Sequence, residues 1–121
     1  LNRIADLLAR TVAPRVQEEL QHHLRGLFGV IVRGYLPQTW WFSTENGQAT
    51  LHVAKDGVTQ VNDGKSGKPD VSIGWTEAAF LIALTTGDRS KLPLDTPAPR
   101  VRVHSSKGRA AYGQLRKRLG L

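Results

Sequence analysis

Cysteine and methionine are both absent from this 121-residue chain. Without cysteine there is no disulfide, no thiolate nucleophile and no cysteine-ligated metal, and the composition fits a reducing compartment. The lack of an initiator methionine gives the expectation of a processed or truncated start, and the sequence leaves open whether the chain is part of a longer protein. Long apolar runs are also missing. The most apolar stretch, Leu24 to Leu36, is broken by Arg25 and Arg33 and falls short of the roughly 20 residues a helix needs to cross a bilayer. No targeting segment is visible, so a soluble, cytoplasmic chain is expected. Acidic residues are outnumbered, 10 Asp and Glu against 17 Lys and Arg, for a net charge of +7. That sign raises nucleic acid, an anionic membrane surface or an acidic protein as partners, and charge alone does not choose among them.

A chain of this length buries roughly two-thirds of its unfolded surface, enough for one unstapled domain. Its most informative stretch is Asp70 to Asp88. Val71, Ile73 and Trp75 alternate with Ser72 and Gly74, the pattern of a strand buried on one face. Thr76 then caps a helix, Glu77 sits in its first turn, and Gly87 is placed to end it in a left-handed conformation. Between these signals Phe80-Leu81-Ile82-Ala83-Leu84 covers nearly the whole helical circumference, so apolar cover is expected on more than one side. Two explanations fit: a central core helix, or a helix with one side on protein and another lining a cavity for an apolar ligand.

The first third, residues 1–36, reads as helical. Leu1, Ile4, Leu8 and Val12 share one face of a short helix, and Pro14 suits the first turn of a second. There Val16, Leu20, Leu24, Leu27 and Ile31 form a stripe that predicts helix to about Arg33. Gly26, Gly29 and β-branched Val30-Ile31-Val32 keep a strand from Phe28 to Arg33 open. After Pro37 the period becomes two. Thr39–Thr44 and Ala49–Ala54 read as strands joined by Glu45-Asn46-Gly47-Gln48, and Asp56-Gly57 turns into Val58–Val61, giving a meander. A polar loop, 63–69, leads to the strand at Asp70. A proline-punctuated connection, Lys91–Pro99, leads to a last strand, Arg100–His104, and a last helix, Lys107–Leu119.

Alternation divides the sheet faces. Trp40, Phe42, Leu51, Val53, Val71, Ile73, Trp75, Val101 and Val103 point to one side, and Trp41, His52, Ser72, Arg100, Arg102 and His104 to the other. One side is core and the other basic. The last helix repeats the division, with Ala111, Tyr112, Leu115 and Leu119 on one arc.

Two segments, PDVSIGWTEAAFLIALTTGD and RVRVHSSKGRAAYGQLRKRLGL, together with the order of elements from Trp40 onward, resemble the sterol carrier protein type-2 domain family. Asp70, Phe80, Thr86 and Gly87 match the first family element, and Val101, Val103 and Gly108 the second. The likeness covers about two-thirds of the chain. It implies an α/β (α+β) fold with a five-stranded, mostly antiparallel sheet and helices covering one face around an apolar tunnel. It also implies non-catalytic binding or carriage of a lipid-like ligand of fatty acyl, sterol or isoprenoid type, with no cofactor. Two departures concern the tunnel mouth: Arg89–Pro99 has no aromatic residue, and the turn after the last strand is Ser105-Ser106-Lys107-Gly108.

On this reading Trp40, Phe42, Trp75, Phe80, Leu81, Leu84, Tyr112, Leu115 and Leu119 line the cavity. Ser106 and Lys107, at a strand-to-helix junction whose free amides favour an anion, join Arg116, Lys117 and Arg118 as contacts for an anionic headgroup or surface. Ser106 as an ordinary helix cap is the plainer alternative. Enzyme chemistry finds little support. Ser43, Ser105 and Ser106 lack a nucleophile-elbow context, His22 and His23 diverge on a helix, and His52 and His104 have no ligand partner at metal spacing. Gly64-Lys65-Ser66 lacks the upstream glycine and following helix of a phosphate loop. Nucleic-acid binding is disfavoured as the alternative, since Trp41 beside Arg100, Arg102 and His104 is a thin stacking platform. A protein-interaction accessory module remains a third reading, and the sequence leaves oligomeric state open.

Overall fold

The computed structural model describes residues 1–25, 29 and 33–121. Helix α1 (Arg3–Arg10) starts at Asn2, whose side chain accepts from the Ala5 N–H at 2.9 Å. It buries Ile4, Ala5 and Leu8, while Leu1, expected on the same face, precedes the cap and is exposed. Helix α2 (Val12–Leu24) carries Pro14 in its first turn, where no N–H is needed, and buries Val12 and Val16. Its expected continuation to about residue 33, and the strand alternative at 28–33, fall mostly outside the described residues.

Five strands form one sheet: β1 (Gln38–Thr44), β2 (Gly47–Val53), β3 (Thr59–Asp63), β4 (Val71–Gly74) and β5 (Arg100–Val103). Their order is β3-β2-β1-β4-β5; β1 and β4 run parallel and the other neighbours antiparallel. The hairpin between β1 and β2 is tighter than expected, with Gly47 already paired to Thr44. Register brings Val61, Leu51, Trp40, Val71 and Val103 into one row across the sheet, and Asn62, Thr50, Trp41, Ser72 and Arg102 into the next. Because side chains alternate, these adjacent rows lie on opposite faces, and the first faces the core with Phe42, Ile73 and Val53.

The outer face is not bare. Thr50 Oγ1 donates to Gly64 O at 2.7 Å and accepts from Ser66 N–H at 2.9 Å, while Trp41 Nε1 donates to Ser66 O at 2.9 Å. Residues 64–67 thus fold across the sheet and leave Thr50 buried on its supposedly solvated side.

Helix α3 (Glu77–Thr86) begins and ends as its sequence signals require. Thr76 accepts from the Ala79 N–H at 3.1 Å, and Gly87 has φ of 65°, a left-handed conformation a side chain would strain. Its burial corrects the expectation of cover on more than one side. Ala79, Phe80, Ala83 and Leu84 are buried on a single face, and Leu81 is 54% exposed. One helix face meets the sheet aromatics, and a lone exposed leucine is an ordinary feature of a protein surface.

A short 3-10 turn (Arg89–Lys91) precedes the connection to β5, and α4 (Ser106–Leu115) follows it. That last helix stops four residues before the expected Leu119. The chain instead bends through Gly120, at φ 74°, which lets Leu119 and Leu121 enter the core. A Cβ at Gly120 would lie 2.4 Å from the Ala83 carbonyl oxygen. The close approach of the tail to α3 is therefore what glycine permits there.

Candidate functional site

The alternation of β1 places Gln38, Trp40 and Phe42 on its inner face, and Leu51 and Val53 follow on β2. Over this part of the sheet a cavity of about 480 Å³ lies between α2, α4 and the chain end. Its volume falls within the range of small-molecule sites. Val16 and Leu20 line it from α2, Leu36, Trp40, Leu51 and Val53 from the sheet side, and Ala110, Ala111 and Leu115 from α4, with Leu119 beyond. Most of the wall is hydrocarbon or aromatic ring.

The polar groups on the wall are largely spoken for. Gln38, almost fully buried, accepts from Trp40 Nε1 at 2.9 Å and donates to the carbonyls of Tyr35 and Lys107 at 2.8 and 2.9 Å. Its amide thereby fixes the indole edge and ties β1 to the start of α4. Glu19, from α2, pairs with Arg118 and stands 3.6 Å from His23 Nε2. All three line the cavity, so an ion pair and an imidazole stand beside an apolar interior. Glu45 is held below the ordinary glutamate range chiefly by the Glu77 backbone N–H, and Asp88 below its own by the Ser90 hydroxyl. Among the described residues no three His, Asp or Glu side chains gather as a metal site.

Of the nine residues expected to line a cavity, Trp40, Leu115 and Leu119 do so. Phe42, Phe80 and Trp75 pack against one another, with ring centroids of 5.8 Å for Phe42 to Phe80 and 5.5 Å for Trp75 to Phe80, and Trp75 borders a separate pocket beside Thr76 and Pro97. Leu84 is fully buried in the same cluster, and Leu81 faces outward. Tyr112 packs 6.1 Å from Trp40 without forming part of the cavity wall. The aromatic sequence signal therefore marks solid core under α3, and the cavity lies over the other half of the sheet. Gln38, Leu51, Val53 and Ala111 line the cavity without being among the expected residues. The period-two count through β1 already places Gln38 beside Trp40 and Phe42.

The expected anion contacts also redistribute. The cap of α4 is Ser105, which accepts from the Gly108 N–H at 2.9 Å, not Ser106, which is exposed. Ser105 Oγ in turn donates to Asp70 Oδ1 at 2.7 Å, and the Thr39 N–H donates to Asp70 Oδ2 at 2.9 Å. Lys107 Nζ donates to Pro37 O at 2.5 Å and lies 3.9 Å from Asp70 Oδ1. The anion at this helix start is thus the protein's own carboxylate. Among Arg116, Lys117 and Arg118, only Arg118 lines the cavity.

No family model matches the chain, and no curated protein matches it. Among solved structures it is similar to the stereoselective inverting sec-alkylsulfatase Pisa1 from Pseudomonas sp., at 21% identity and a TM-score of 0.45. That likeness covers 66% of this chain and 13% of the sulfatase, so the chain spans a small part of that enzyme's length. It is also similar to a ubiquinone synthesis protein, UbiJ-SCP2, at 14% identity and a TM-score of 0.45, over 86% of this chain and 89% of the other. Likeness at this level carries no activity or ligand across, and function has to be read from this chain's own cavity.

Proposed function

We propose that this chain binds an apolar, lipid-like molecule in the cavity between α2, the sheet and α4, and holds or carries it without chemical conversion. The observation behind this reading is a volume of about 480 Å³ with predominantly apolar walls. Each buried methylene contributes about 0.8 kcal/mol, so a segment of roughly eight to ten carbons offsets the several kcal/mol that association costs. A fatty acyl, sterol or isoprenoid body suits such walls. The Glu19–Arg118 pair gives a polar end at which an anionic headgroup would exchange with Glu19 for the guanidinium. Arg116 and Lys117 add positive charge next to it in sequence, which favours approach to an anionic membrane surface.

Titration with a fluorescent stearate tests the reading. Saturable binding of one molecule per chain is expected, with flotation of the protein on anionic but not neutral liposomes. Absence of saturation would remove the proposal. The nucleic-acid alternative is not favoured: Trp41 is hydrogen-bonded to the 64–67 loop, and Lys65 already stands 5.4 Å over its ring.

A further inference from the structure

The two edges of the sheet are treated differently. At β3, the outward Thr59 N–H donates to Gln17 Oε1 of α2 at 3.2 Å. At β5 no comparable hydrogen bond reaches the edge among the described residues. His104 N–H donates to Asp70 O at 2.8 Å, so in the antiparallel pairing of β4 with β5 the groups of Arg100, Arg102 and His104 point to β4. Those of Val101 and Val103 point away from it. Neither outward N–H has a hydrogen-bond partner among the described residues.

Side chains define what fits this edge. Val101 and Val103 are half-buried on the core face, while Arg100 and Arg102 are exposed on the outer face. A strand added beside β5 would set its outer residues about 5 Å from those arginines and its inner residues against the valines. A second copy added antiparallel would bring arginines against arginines, which is unfavourable. We infer that the free edge of β5 accepts an extended peptide of alternating apolar and acidic residues from an acidic protein partner. The backbone supplies two donors and two acceptors, and the arginines select charge.

The test uses the whole chain and a labelled, end-blocked Val-Glu-Val-Glu-Val-Glu peptide, followed by anisotropy and by backbone amide shifts. Saturable binding with the largest shifts at residues 100–104 is expected, at least ten-fold weaker for the Val-Lys counterpart and for Arg102→Glu. Val103→Pro removes an outward donor while leaving the β4 ladder intact, because proline is tolerated at a sheet edge. It should abolish peptide binding and retain uptake of the stearate probe. Equal binding by Val103→Pro, equal binding of the lysine peptide, or no saturation would overturn the inference. So would a dimer in sedimentation that Val103→Pro dissociates, since the edge would then serve a second copy.

Discussion

Ser105 joins Asp70 through a 2.7 Å hydrogen bond from its hydroxyl to Oδ1 while accepting from the Gly108 N–H, so one serine both caps α4 and anchors it to the start of β4. The Thr39 N–H reaches the other carboxylate oxygen, which adds β1 to the same junction. Asp70→Ala leaves the Thr39 N–H and the Ser105 hydroxyl without their charged acceptor. Urea unfolding should show a loss of about 2–3 kcal/mol, against about 1 kcal/mol for Ser105→Ala. Equal stability of Asp70→Ala and the parent chain would show the junction to be decorative.

Gly108 stands where α4 crosses the backbone of β4. A Cβ there would lie 2.3 Å from the Asp70 carbonyl oxygen, with no flexible side chain to give way. Gly108→Ala should therefore destabilise by about 1–3 kcal/mol, although alanine is intrinsically the better helix former. A stabilised variant would mean that the approach is loose.

These two residues also show how far the sequence could be read. Asp70 and Gly108 both matched the family pattern by position, but the pattern does not say that they touch, because their contact depends on β5 pairing next to β4. Thr76, Gly87 and the strand alternation were legible because caps, left-handed turns and period-two burial are local. The cavity was less so. Phe42, Trp75 and Phe80 are, like Trp40, large inward residues expected in the lining, yet these three fill one another's space. The lining falls to smaller residues such as Val53 and Ala111, whose role depends on how far α2 and α4 stand from the sheet.

Leu81 and Phe80 are neighbours in sequence with opposite fates. Phe80→Ala empties a fully buried site between Phe42 and Trp75 and should cost about 3–5 kcal/mol. Leu81→Lys alters an exposed position and should cost no more than about 0.5 kcal/mol. Thermal unfolding of both variants checks the contrast, and a large loss from Leu81→Lys would restore the expectation that α3 is covered on more than one side.

Glu45 accepts from the Glu77 N–H at 2.8 Å, and that bond holds its carboxyl below the ordinary glutamate range. Since the folded pKa is depressed, the contribution to stability is present above the unfolded value of about 4.3 and is lost as pH falls through the folded value. Glu45→Gln should flatten the decline of stability as pH falls below the unfolded glutamate value. An unchanged profile measured by urea titration would mean that other carboxylates govern it.

Three tryptophans occupy three environments: Trp40 on the cavity wall, Trp41 under the 64–67 loop on the outer face, and Trp75 against Phe80 with its Nε1 bonded to Pro97 O at 2.7 Å. Variants that keep one tryptophan and replace the other two by phenylalanine can report where an apolar ligand goes. Titration with a brominated stearate, whose bromines quench indole only at close range, is the most direct measurement of cavity binding. Saturable quenching of the chain that retains Trp40, and none of the chain that retains Trp41, is the predicted result. No saturable quenching of Trp40, or equal quenching of Trp41, would contradict the placement of a lipid-like ligand between α2, the sheet and α4.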